Sequence, residues 1–230
     1  MSRYHYFLNS ILVVICVCGI ATAYDYGIAS INFYNVKNNI EKWNTDSRDS
    51  ALVPYLRAKN NSLVANKYHP NNALYVDLMA QVDEWGVIFE FENEAEGLES
   101  AKQRYLKATQ LRPLWPVTWA SLVKVKWRLQ EFDDEMLYYL EKANTLGPKK
   151  AEVNILIADL GLALYTNNHA MLLKIRPMFY QRLAQGLIDP YSRKPINKII
   201  ANYEAQSLVC RWLREDASAL KYLFYKCTSI

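Results

Sequence analysis

The chain has 230 residues, 51% of them hydrophobic, with 27 basic side chains against 23 acidic ones. A formal charge of +4, scattered and of mixed sign, is too weak to argue for nucleic acid as a partner. Only 7 Gly and 8 Pro occur, too few for a β-sandwich with a tight hairpin every ten residues, so long helices are the economical reading.

In chain order, the first feature is an apolar run. After Arg3 and His5, Phe7 to Ala23 carries no charge, and its polar residues are Asn9, Ser10 and Thr22. As a helix it reaches about 25 Å, slightly short of a hydrocarbon core, and Tyr6 and Tyr24 complete it at the interfaces. Arg3 and the amino terminus precede the run and Asp25 follows it, which places the body outside the cytoplasm. Residues 1–25 therefore read as one transmembrane helix that anchors the chain. The rival reading is a cleaved export signal, because Ala21-Thr22-Ala23 fits the small-residue cleavage pattern. Continuation of the helical pattern beyond the run favours the anchor.

Phe33, Val36, Ile40 and Trp43 mark one face of a helix over Tyr26 to Trp43. Asn44 to Ser50 reads as a turn. A helix over Ala51 to Tyr68 follows, with Pro54 in its first turn, and His69-Pro70-Asn71-Asn72 breaks it. A long helix is predicted from Ala73 to about Glu90, and the acidic stretch Glu90 to Glu99 holds the next turn. Further helices are predicted over Leu98–Leu111, Pro116–Gln130, Asp133–Leu146, Ala151–Tyr165, Ala170–Leu187, Pro195–Cys210 and Leu213–Cys227. Arg176-Pro177 predicts a kink or short break within its segment. Strand-like alternation is confined to short runs, so the fold class is all-α.

A recurrent ending organises these helices. Ala65 precedes Pro70, Ala108 precedes Pro113 and Ala143 precedes Pro148, each by five residues. The prolines stand 43 and 35 residues apart, against a tetratricopeptide period of 34. Ala101-x3-Tyr105 and Trp119-x2-Leu122 fit the tetratricopeptide pattern, with Tyr replacing Phe. Val123 stands where the pattern has Gly, and Lys126 where it has Tyr. Small residues let helices approach, aromatics fill the gaps and Pro stops each second helix. The expected architecture over residues 26–230 is a tetratricopeptide-like stack of antiparallel helix pairs.

The stretch Leu111-Arg112-Pro113-Leu114-Trp115-Pro116-Val117-Thr118-Trp119-Ala120, with the Ala143-Asn144-Thr145-Leu146-Gly147-Pro148 turn, resembles the VpsP-type exopolysaccharide biosynthesis proteins of bacteria. The layout is similar too: a short basic start, one apolar segment, an amphipathic helix ending near Trp43, the repeats, and a tail helix with Leu208-Val209-Cys210. The resemblance implies a single-pass protein of the bacterial inner membrane with its body in the periplasm. It would serve a polysaccharide synthesis or export system of the biofilm-matrix kind. Its implied partners are envelope proteins of that system. It brings no catalytic, cofactor-binding or metal residue to carry over.

The residues themselves point the same way. His5, His69 and His169 have no partner at metal-ligand spacing, and the chain has no Gly-rich phosphate loop and no Gly-x-Ser-x-Gly elbow. Glu90, Glu92, Glu94, Glu96 and Glu99 could supply two carboxylates for glycoside cleavage by count, but acids in a turn and at a helix start favour its dipole. Lys124, Lys126 and Arg128 alternate with apolar residues, which spreads them around a helix as solvated flank. Trp119 reads as core, Trp127 lies on nearly the same face, and Trp115 stands between two prolines. Exposed aromatics would suit sugar rings, which makes a glycan-binding accessory protein the alternative to a scaffold. Cys16 and Cys18 lie within the apolar run. Cys210 and Cys227 would be 25 Å apart on one straight helix; a break near Asp216 would permit a disulfide, and two buried thiols are the other possibility.

Overall fold

Helical periodicity runs through the chain, and the fold is all-α. The computed structural model describes residues 2–45, 52–167 and 169–227. Among the described residues are eleven helices and no strand. They fall into two compact units, Met1–Pro113 and Leu114–Ile230.

The first unit contains α1 (Ser2–Thr45), α2 (Leu52–Tyr68), α3 (Ala73–Ile88) and α4 (Glu94–Leu111). The apolar run and the amphipathic stretch after it are one unbroken helix, about 65 Å long. It is long and apolar enough to cross a membrane. Residues Tyr4 to Gly27 are exposed, whereas Ala29, Val36, Ile40 and Trp43 are buried. Those four face α2 and α3, and Val36, Ile40 and Trp43 share a core with Tyr55, Ala58, Leu78 and Val82. The helix carries on through Asn44 and Thr45; the rest of the expected turn, and Ala51, lie outside the described residues.

The second unit contains α5 (Pro116–Arg128), α6 (Asp134–Leu146), α7 (Ala151–Thr166), α8 (Met171–Ile188), α9 (Pro190–Asn202), α10 (Gln206–Trp212) and α11 (Ala217–Leu220). α5 packs on α6 and α7, α7 on α8 and α9, and α8 on α11. Gly161 allows the close approach of α7 to α8, since a Cβ there would overlap the ring of the fully buried Phe179.

The recurrent alanine–proline ending has one geometry in all three places. α2, α4 and α6 each stop two residues before their proline, as the steric demand of proline on its predecessor requires. In each case the amide just before the proline donates to the alanine carbonyl: His69 to Ala65 at 3.1 Å, Arg112 to Ala108 at 2.9 Å, Gly147 to Ala143 at 2.9 Å. All three alanines are buried, as are Ala58 and Ala101, so neighbouring backbones come close there. α3 and α5 end differently. A left-handed residue, Glu90 (φ 60°) or Gln130 (φ 59°), terminates each, and the next amide bonds back to Gly86 or Lys126.

Three expectations are corrected. α8 runs through Pro177 without the short break that was one of the two expectations there, and the proline lies on the exposed side, where the freed Leu173 carbonyl is open to solvent. α9 begins at Pro190 and ends at Asn202, where a left-handed Glu204 (φ 52°) turns the chain before Cys210 is reached. In place of a helix over Leu213–Cys227 there is only the short α11, capped by Asp216, followed by irregular chain.

That break brings Cys210 and Cys227 together as a disulfide, with Cα atoms 5.7 Å apart. Asn197 of α9 holds the same segment by donating to the Tyr222 carbonyl (3.1 Å) and accepting from the Phe224 amide (2.8 Å). Trp212 seats α10 against Tyr165, Phe179 and Tyr180. Cys210→Ser should cost about 2 kcal/mol, the lower end for a loop of this length, because the asparagine tether remains. Hydrogen exchange should accelerate between residues 213 and 227, with the helices α7 and α8 little changed.

Candidate functional site

Among the described residues, buried charged side chains gather polar partners at three places. In the first unit, Glu92 turns inward from the α3–α4 turn and accepts from the Tyr55 hydroxyl (2.7 Å) and from Lys59. Hydrogen bonding by Lys59 and Tyr55 holds its carboxyl below the usual range. Nearby, burial pushes Asp83 upward against the opposing effects of Arg104 (3.0 Å) and Ser100 (2.7 Å). Glu84 accepts from the Tyr105 hydroxyl at 2.6 Å. Glu94 and Glu96 lie in the first turn of α4, as a dipole-favouring role requires. The acidic stretch is thus divided between helix start and interhelical bonds.

The second place corrects the reading of Lys126 as solvated flank. Its side chain is buried, and its ammonium reaches Glu131 (3.0 Å), Asp133 (2.9 Å) and Glu135 (2.6 Å). Lys124 is exposed and Arg128 half-buried. Residues two apart lie about 200° apart on a helix, so turning Lys124 to solvent turns Lys126 inward. The three carboxylates converge within 4.8 Å, a spacing that would suit a metal, but the lysine ammonium occupies their focus. Asp133 also caps α6, accepting from the Met136 amide at 2.9 Å.

The third place centres on Arg182 of α8, which is 3% exposed. Its guanidinium donates to the carbonyls of Asn144, Gly147 (3.0 Å) and Pro148 (2.9 Å) and to the side chains of Asn144 (2.6 Å), Asn154 (3.2 Å) and Gln185 (3.3 Å). None of these acceptors is a carboxylate. The cation instead meets carbonyls of the last turn of α6 and of the turn that follows it, where the helix dipole favours a positive charge. Burial lowers its pKa from the ordinary arginine value. Beside it opens a groove of about 450 Å³, lined by Pro148, Lys149, Asn154, Gln185, Ile188, Asp189 and Pro190. Asp189 is committed to capping α9 through the Tyr191 amide and Ser192 hydroxyl.

No protein-family model matches the chain, and no curated protein matches it. What the groove does must come from its own chemistry. Pro148, Ile188 and Pro190 give it apolar walls, and the side-chain oxygens of Asn154 and Gln185, which also line it, are held by Arg182.

The other singled-out residues are dispersed. Among the histidines, His69 stacks on Tyr26 at 4.6 Å, His169 packs on Phe132 and accepts from the Met171 amide, and His5 is exposed. Trp119 is buried beside Tyr138 and Tyr139. Trp115 has the Lys150 ammonium 4.6 Å from its ring centre, and Trp127 is half-buried. Arg182 was not singled out by sequence, although Ile175, Phe179, Arg182 and Gly186 fall on one face at steps of four, three and four. A charge in the apolar register of a helix was the available signal.

Proposed function

We propose that the chain is a membrane-anchored, non-catalytic scaffold whose tetratricopeptide-like hairpins assist exopolysaccharide biosynthesis or export through protein–protein contacts. The observation that carries this reading is the alanine–proline ending, repeated with one hydrogen-bond geometry at the ends of α2, α4 and α6. Repetition of a helical hairpin builds an extended surface suited to a partner segment. Placement of the body in the periplasm draws support from the Cys210–Cys227 bond, which needs an oxidising space, and from Arg3 ahead of the apolar run. The VpsP-type resemblance supplies the process.

The test is affinity capture of the C-terminally tagged chain from its own membranes, beside an Ile188→Asp variant with a charge in the groove. Recovery of polysaccharide synthase or export proteins by the original chain, and their loss from the variant, is the expected result. Recovery of polymer without protein would put the glycan-binding alternative first, and hydrolase or transferase activity in purified protein would overturn both.

A further inference from the structure

The first unit touches α1 very near the end of the apolar run, which fixes where the α2–α3 turn must lie. Ala29 is the first buried residue of α1 and packs with Ala65 of α2 and Tyr75 of α3. Three residues earlier, Tyr26 stacks on His69 with ring centres 4.6 Å apart, and His69 meets Tyr75 edge-on at 5.6 Å. The apolar run ends at Ala23. At 1.5 Å per residue, Tyr26 stands about 5 Å beyond that end, and Ala29 about 9 Å. The headgroup layer on each side of a bilayer is itself about 5–7 Å deep, so the ring of His69 falls within it, and tilt of α1 brings it closer.

We propose that the α2–α3 turn is a membrane-interface foot, seated among lipid headgroups beside α1; this rests on the reading of α1 as an uncleaved transmembrane anchor. The residues at this level suit that surface. Tyr24 and Tyr26 are half or more exposed, and Leu74, 43% exposed, opens α3 beside the turn. Lys67 is exposed at the end of α2 with its ammonium 5.9 Å from the centre of the Tyr68 ring, and a long side chain placed there can turn to headgroup phosphate. Tyrosines at the headgroup level with a snorkelling lysine are the usual composition of an interfacial belt. Asp25 is an exposed carboxylate at this level, about 3 Å beyond Ala23 and so among the headgroups with Tyr26.

The foot has a consequence for how the unit is presented. Trp43, twenty residues beyond Ala23 and hence about 30 Å from the hydrocarbon edge, contacts Trp85 and Phe89 at the opposite end of α3. The α3–α4 turn is therefore held away from the lipid while the α2–α3 turn is held against it.

The experiment uses the full chain in proteoliposomes, with Cys16 and Cys18 replaced by Ala and the Cys210–Cys227 bond intact. An environment-sensitive fluorophore is attached at Asn71→Cys in the foot or at Ala95→Cys in the first turn of α4, both surface positions. Lipid carrying a headgroup nitroxide should quench the label at 71 several-fold more than the label at 95. Equal, weak quenching at both positions with the anchor intact by mass would overturn the foot alone. Loss of residues 1–23 from the mature chain would remove the anchor and the foot together.

Discussion

Arg182→Ala is expected to destabilise the second unit by about 4 kcal/mol, the largest effect of any single substitution considered. The guanidinium satisfies three backbone carbonyls and three side-chain oxygens in a buried place. Each buried acceptor left without a partner costs about 1–3 kcal/mol, and water entering the vacated space recovers part of that. A fall of about 10 °C or more in the thermal midpoint is the corresponding signal. Arg182→Lys should recover less than half of the loss, because three donors on a point charge cannot reproduce a planar fork. A midpoint for Arg182→Ala within 2 °C of the original chain would mean that the α6–α7 turn holds itself. Since Asn154 and Gln185 line the groove as well, partner capture should weaken in the Lys variant even at temperatures where it stays folded.

The second large effect is expected from Lys126→Met, at about 3 kcal/mol near neutral pH. The substitution keeps the volume of the buried stem and removes the cation from three converging carboxylates. Breaking a buried ion pair on one side costs about 3–5 kcal/mol; the lower end applies because the Asp133 and Glu135 side chains are half-exposed and rehydrate. Burial opposes ionisation of Asp133, but Lys126 and the Met136 amide outweigh it, and the Lys126 hydrogen bond leads the lowering at Glu135. Both carboxyls therefore have folded pKa values below their unfolded values of about 4. Their stabilisation is full above that range and disappears as pH falls through the folded values. The penalty of Lys126→Met should thus be largest at pH 7 and shrink below about pH 4, as urea unfolding of both proteins across that range would reveal. A penalty independent of pH would assign the effect to packing of the lysine stem instead of charge.

Legibility differed from element to element for physical reasons. Helices α2 to α7 were readable within a few residues, because proline, asparagine and aspartate mark their ends by local sterics and capping. Trp119, Ala101 and Ala108 were recognisable as core from spacing alone. Past Ile188 the expected helix bounds failed, although the break near Asp216 that permits the disulfide is present. Pro190 and Pro195 lie inside one helix, and a left-handed Glu204 supplies a turn that glycine would ordinarily announce.

What the sequence determined by itself is therefore local: the apolar first helix, the all-α class and the alanine–proline endings. Each depends on residues within a few positions of one another. Whether Lys126 faced solvent or three carboxylates, and whether Arg182 capped a turn 34 to 38 residues away, was decided by tertiary structure. So was the pairing of Cys210 with Cys227, which needed the chain to turn back on α9. A charge on the apolar face of a helix costs too much to bury alone, so its meaning depends on partners that only packing brings to it.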